Sequence, residues 1–201
     1  MRDLFPMTIT RDNTALIQAA EAKFREPAPA EERAKLFAQI GWWYRDMNRL
    51  EEARRSLEES LALAPGHYDA IKQLLATLGK LGDKDALMTQ MSKLLRLDPH
   101  NPTVFDDCII YAKGTAVGWS DLVGLLESLR EDYPDDKFVH ANCDFYAGKV
   151  LINVDPLSAR KRPVIARKTF RAIFPRGHQV FSALRSGLHQ VSKAERAGGP
   201  A

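Results

Sequence analysis

The sequence predicts an all-α chain, an α-solenoid of antiparallel helix pairs: about four pairs, one extra helix before them and a capping helix after. Three observations lead there. The stretch from Ala34 to Asn101 reads as two copies of one 34-residue unit laid end to end. Within each copy apolar residues recur three and four apart, the spacing of a helix that buries one face. A proline-led turn also returns at each repeat boundary, as Pro65-Gly66-His67, Pro99-His100-Asn101, Pro134-Asp135-Asp136 and Pro175-Arg176-Gly177. Proline cannot continue a helical hydrogen-bond ladder, so each of these closes the helix before it.

Taken in order, residues 1–11 show no helical period and form an N-terminal tail, and a single helical domain is expected over 12–192. Its first helix begins near Asp12. Ala15, Ala19 and Ala22 repeat the small-residue spacing of a second repeat helix if Pro27 closes the unit, which makes this a half-repeat packed on the first full one. Glu31 and Glu32 then favour a helix N-terminus through its dipole. In the first copy, near 34–67, Phe37, Ile40, Gly41 and Tyr44 form the packing side of one helix, and Ala53 and Leu57 that of the next. Gly41 costs about 1 kcal/mol inside a helix relative to alanine. Close approach of the second helix, with Ala53 facing it, is the expected compensation. The second copy, near 68–101, places Ile71, Leu74, Leu75, Leu78, Leu87 and Met91 in the same register. The inter-helix turns are read as Asp46-Met47-Asn48-Arg49 and Gly79-Lys80-Leu81-Gly82-Asp83, both short, and polar or glycine-bearing.

A third copy, near 102–136, carries Phe105, Cys108, Ile109 and Ala112, a looser turn at Gly114–Gly118, and a second helix capped at or near Ser120 with Leu122, Leu125, Leu126 and Leu129 buried. The fourth, near 137–177, has Cys143 and Ala147 in register, with Phe138, Phe145 and Tyr146 adding aromatic bulk. Ile165, Ala166, Phe170, Ile173 and Phe174 form its second helix. A capping helix near 178–192 presents Val180, Phe181, Leu184, Leu188 and Val191, and 193–201 reads as a disordered tail.

The 34-residue period, with Trp-x2-Leu-Gly-x2-Tyr followed by Ala, Phe and Pro at set positions, is the signature of the tetratricopeptide repeat, and the chain resembles that family over roughly 34–177. The resemblance implies a stacked array with a concave groove lined by the first helix of each repeat. Carried onto this sequence, the groove positions are Lys35, Gln39, Trp42 and Arg45, then Lys72, Gln73 and Lys80, then Asp106, Asp107, Ile110 and Lys113, then Asn142, Phe145 and Lys149. Trp42 and Trp43 are adjacent and cannot share one helix face. The register puts Trp43 in the core and Trp42 in the groove, or leaning on the N-terminal helix. Ala38 and Trp42 stand where family members that hold chaperone C-termini carry a basic and asparagine clamp.

No catalytic constellation appears, so a non-enzymatic chain without cofactor or metal is expected. Gly79-Lys80-Leu81-Gly82-Asp83 lacks the spacing of a phosphate loop, and the five histidines form no zinc motif. His67, His100 and His178 lie at turns, while His140 takes a packing position as a hydrogen-bonded core residue. Cys108 and Cys143 fall at equivalent core positions and read as small buried apolar residues. With 45% hydrophobic and 27% charged residues the composition is that of an ordinary soluble protein. No apolar run reaches the roughly 18 residues of a membrane span, and Met1–Pro6 lacks a signal segment, which gives a cytoplasmic expectation. Residues 150–201 hold ten Lys or Arg against two Asp or Glu, whereas the whole chain is only +3. Arg160, Lys161, Arg162, Arg167, Lys168 and Arg171 form the basic patch, either a solvated face or a site for nucleic acid or another polyanion. The expected function is a protein-interaction adaptor or chaperone-like module that binds a peptide or protein segment. Polyanion binding is the alternative, and an accessory subunit of an enzyme the third.

Overall fold

The computed structural model describes residues 12–24, 27–151, 168–169 and 171–172. Among them run eight α-helices and no strand: α1 (Thr14–Lys23), α2 (Ala30–Asp46), α3 (Leu50–Leu63), α4 (Tyr68–Leu81), α5 (Lys84–Leu97), α6 (Pro102–Ala112), α7 (Trp119–Asp132) and α8 (Lys137–Leu151). The all-α expectation holds, and so does the period. Leu50, Lys84 and Trp119 open α3, α5 and α7 at spacings of 34 and 35 residues. The helices gather into two compact units that divide between Asp83 and Lys84.

In the first unit the tightest junction is between α2 and α3. Ala53 and Leu57 are fully buried, and a Cβ added at Gly41 would sit 2.6 Å from Leu57 Cγ and 3.2 Å from the carbonyl oxygen of Ala53. Glycine is required there by contact, since the facing atoms are a backbone oxygen and the branch point of a buried leucine. Ser60, also fully buried, donates its hydroxyl to the carbonyl of Ala34 at 2.7 Å and so satisfies its polar atom inside the interface. On the other side α4 buries Ala70, Ile71, Leu74, Leu75 and Leu78. It opens on His67, whose Nδ1 accepts the Ala70 amide, and ends on Gly82 at φ +74°, a left-handed cap that glycine adopts without strain. The expected turn at Gly79–Asp83 is therefore shorter than read, because Gly79, Lys80 and Leu81 remain helical.

α1 is rotated relative to expectation. Ile17 and Ala20 are buried against Ile40 and Trp43, with Phe24 stacked on Phe37 at 4.3 Å, while Ala15, Ala19 and Ala22 are exposed. An isoleucine and a phenylalanine remove far more apolar area from water than alanines do, so the larger side chains set the rotation. Asn13 fixes the helix start. Its side chain donates to Asp46 at 3.1 Å, and its backbone amide to the sulfur of Met47 at 3.3 Å.

In the second unit α5 contributes Leu87, Met91, Leu94 and Leu95 to the core, α6 Val104, Phe105, Cys108 and Ala112, and α7 all four expected leucines. Gly114 at φ +75° ends α6 after 11 residues, three fewer than α4 has. The cap expected at or near Ser120 comes from its neighbour: the N-cap is Gly118, α7 opens at Trp119, and the carboxylate of Asp121 reaches back to accept the Gly118 amide at 2.7 Å. Asp136 caps α8, accepting the amides of Phe138 and Val139 at 2.9 and 3.0 Å. Burial works against the charge of Asp136, but the Val139 amide, the His100 imidazole at 2.7 Å and the Phe138 amide together hold its carboxyl below the ordinary value. α8 itself is buried almost all round, continuously from Ala141 to Gly148.

No helix among the described residues is long and apolar enough to cross a membrane. Of the basic patch, Arg160, Lys161, Arg162 and Arg167 lie outside the described residues, as do the expected capping helix and both tails. Lys168 and Arg171 are helical and exposed.

Gly41→Ala tests the α2–α3 junction. Helix propensity alone favours alanine by about 1 kcal/mol, whereas overpacking costs about 1–3 kcal/mol. With Leu57 Cγ at 2.6 Å the second effect wins, so urea unfolding should show a net loss of stability. Ala53→Leu should lose about 1–3 kcal/mol for the same reason. An unchanged midpoint in both variants would contradict the close approach.

Candidate partner-binding face

Helices α2 and α4 carry seven of the sequence-predicted groove residues, and they pack against each other within the first unit. On α2, Lys35, Gln39, Trp42 and Arg45 follow one another at helical spacing, turned about 100° round the helix from the buried Ile40 and Trp43. Trp42 is 41% exposed and Trp43 9%. Two tryptophans one residue apart thus take opposite roles: Trp43 joins the cluster with Ile17, Ala20 and Ile40, and Trp42 stands in solvent. Lys35 and Gln39 are exposed, Lys35 paired with Glu31 one turn earlier at 2.8 Å, and Arg45 is half-buried. Between two exposed side chains that ion pair is worth little.

On α4, Lys72 lies over the Tyr68 ring, its ammonium 5.0 Å from the centroid, and 3.8 Å from Asp69. Both contacts hold it along the helix with its charge still available to solvent. Gln73 is partly buried, and its side-chain oxygen is buried with no hydrogen-bond partner. An unpaired buried acceptor costs about 1–3 kcal/mol, a cost that a donor arriving with a ligand removes. Lys80 is exposed in the last turn of α4.

The corresponding residues of the second unit behave differently. Asp107 is half-buried and Lys113 exposed. Asp106 accepts the Lys149 ammonium at 2.6 Å and the Tyr146 hydroxyl at 3.1 Å. Burial, aided by Asp106, pushes the Tyr146 hydroxyl well above its ordinary value, so it stays protonated and donates. Asn142 and Phe145, read as groove residues, are 1% and 7% exposed. Asn142 donates to the carbonyl of Pro99 at 3.4 Å, and Phe145 packs edge-on to Tyr146. Both are corrected to interior positions: α8 is buried around its circumference, so a one-faced register does not apply to it. His140 is half-buried, and its Nε2 is buried without a hydrogen-bond partner.

The remaining chemistry is subdued. Burial pushes the Cys108 and Cys143 thiols up to about 12, with Asp107 and Asp144 adding to the effect. Among the described residues no three His, Cys, Asp or Glu side chains are grouped to hold a metal ion.

No protein-family model matches the chain, and no curated protein matches it. Among solved structures, one titled "MamA RS-1 ArsTM double mutant" is 13% identical, covering 81% of this chain and 97% of that one with a TM-score of 0.43. Such a likeness transfers no function.

With both thiols pushed up to about 12, the thiolate fraction at pH 8 falls roughly a thousandfold below that of a thiol at 9.0. Iodoacetamide should leave the native chain unmodified and label both cysteines in urea. Rapid labelling of the folded chain would contradict the burial.

Proposed function

We propose that this chain is a non-catalytic adaptor of tetratricopeptide type, which binds a peptide or protein segment on the α2–α4 face of its first unit. The observation that carries the reading is Trp42, a large aromatic held out of the core while its neighbour Trp43 fills it. An exposed tryptophan is a standing cost unless something covers it, and tryptophan is among the residues that dominate interface energetics. The surroundings suit a partner segment. Gln39 and Gln73 offer amides, Gln73 with an unsatisfied acceptor for a backbone N–H, while Arg45, Lys72 and Lys80 favour acidic residues beside the anchoring side chain.

The tandem tryptophans give a controlled test, because both substitutions delete the same atoms one residue apart. Trp42→Ala should weaken binding of a captured partner at least tenfold, equivalent to about 1.4 kcal/mol, with little change in melting temperature. Trp43→Ala should cost about 3–5 kcal/mol of stability. If Trp42→Ala unfolded the chain and Trp43→Ala were silent, the α2 face would be misassigned.

A second reading is favoured by the charge segregation alone, ten basic against two acidic residues over 150–201. Polyanion binding there would fall steeply with salt as counterions are released. Neutralising Arg160, Lys161 and Arg162 should flatten that dependence. No retention on DNA, RNA or heparin at low salt would eliminate this reading.

A further inference from the structure

Helix α1 has 10 residues and packs on α2. A helix this short is marginal in water by itself, so α1 persists through the contacts it makes. Near its C-terminal end Phe24 stacks on Phe37 at 4.3 Å, and along its middle Ile17 and Ala20 bury against Ile40 and Trp43. Its N-terminal end is tied by Asn13, whose side chain donates to Asp46 and whose backbone amide donates to Met47 Sδ at 3.3 Å. We propose that Met47 is an oxidation site, and that a peroxide converting it to the sulfoxide releases α1. The site is independent of the α2–α4 face and of the reading given to it.

The position combines access with consequence. Met47 is half-buried between the exposed Asp46 and Asn48, so a small oxidant approaches it from solvent, whereas Met91 is fully enclosed. Asn13 is 6% exposed, and its amide finds its acceptor in the thioether. Loss of that acceptor leaves a buried donor unpaired. Met47 also packs against the cluster of Ile17, Ala20, Ile40 and Trp43, the apolar surface that holds α1 in place.

With hydrogen peroxide the step is a single oxygen transfer. A sulfur lone pair attacks one peroxide oxygen, an S–O bond forms, and the O–O bond breaks. The departing oxygen takes the proton of the transferred hydroxyl and leaves as water. Sulfur is oxidised by two electrons and the peroxide is reduced by two. An oxygen on the lone pair that faces Asn13 has to fit between atoms 3.3 Å apart, whereas a hydrogen bond to oxygen alone spans about 2.7–3.2 Å, so the amide is pushed away. On the other lone pair the oxygen adds polar bulk to a side chain packed on an apolar cluster.

The test treats the full chain with hydrogen peroxide, locates sulfoxides by peptide mapping and follows amide hydrogen exchange in α1 and α4. Sulfoxide should form at Met47 ahead of Met91. Exchange over residues 17–24 should become about tenfold faster while Leu74 and Leu75 are unchanged, and methionine sulfoxide reductase should restore the original rate. Met47→Leu keeps the apolar bulk and leaves Met1, Met7, Met88 and Met91 in place, so its α1 exchange should be insensitive to peroxide. Three results overturn the proposal: a Met47 that stays a thioether in the folded chain, a Met47 sulfoxide that leaves α1 exchange unchanged or slower, or a Met47→Leu variant that responds to peroxide as the wild type does.

Discussion

The contact of α3 with Gly41 is the constraint on which the first unit depends. Without a Cβ at that position Leu57 and the Ala53 carbonyl come within reach of the α2 backbone, and the two helices close to a distance that no other residue permits. That closeness aligns Ser60 with the Ala34 carbonyl, a bond available only when the backbones are this near. It also fixes the rotation of α2 about its own axis, and with it which of two adjacent tryptophans is inside. The partial exposure of Trp42 thus follows from a glycine that precedes it on a neighbouring flank of the same helix. A structural choice made for packing thereby decides which tryptophan is exposed.

Much of this was legible from residue spacing. The helix pairs, the 34-residue period, Gly41 against the second helix, and the division of labour between Trp42 and Trp43 all follow from apolar positions three and four apart and from turns led by proline. Such features are local, repeated and dominated by backbone geometry. What the spacing did not reveal has a common physical origin. In α1, alanines at the expected positions competed with Ile17 and Phe24, and buried area decided against the register. In α8 there was no single face to find, so positions expected by register to face outward, Asn142 and Phe145, are interior. Capping depended on an offset of two residues, which put the N-cap of α7 at Gly118, with Asp121 rather than Ser120 as the capping side chain.

The candidate face divides along the same line. The α2 and α4 positions were visible because they repeat a pattern of spacing, whereas the polar contacts of α7 and α8, such as Arg130 with Asp144, join residues that spacing alone does not pair.

The burial of α8 bears on how such a sequence can vary over time. A repeat helix with one packing face has an outer side where substitutions are nearly neutral, and α3 keeps Glu51, Arg55, Glu58, Glu59 and Ala62 there. From Ala141 to Gly148 every residue of α8 is enclosed, so small side chains cannot grow and large ones cannot shrink without leaving strain or a void. Drift in the earlier helices can erode the repeat pattern while the fold persists. In α8 enclosure leaves almost no position at which a substitution is neutral.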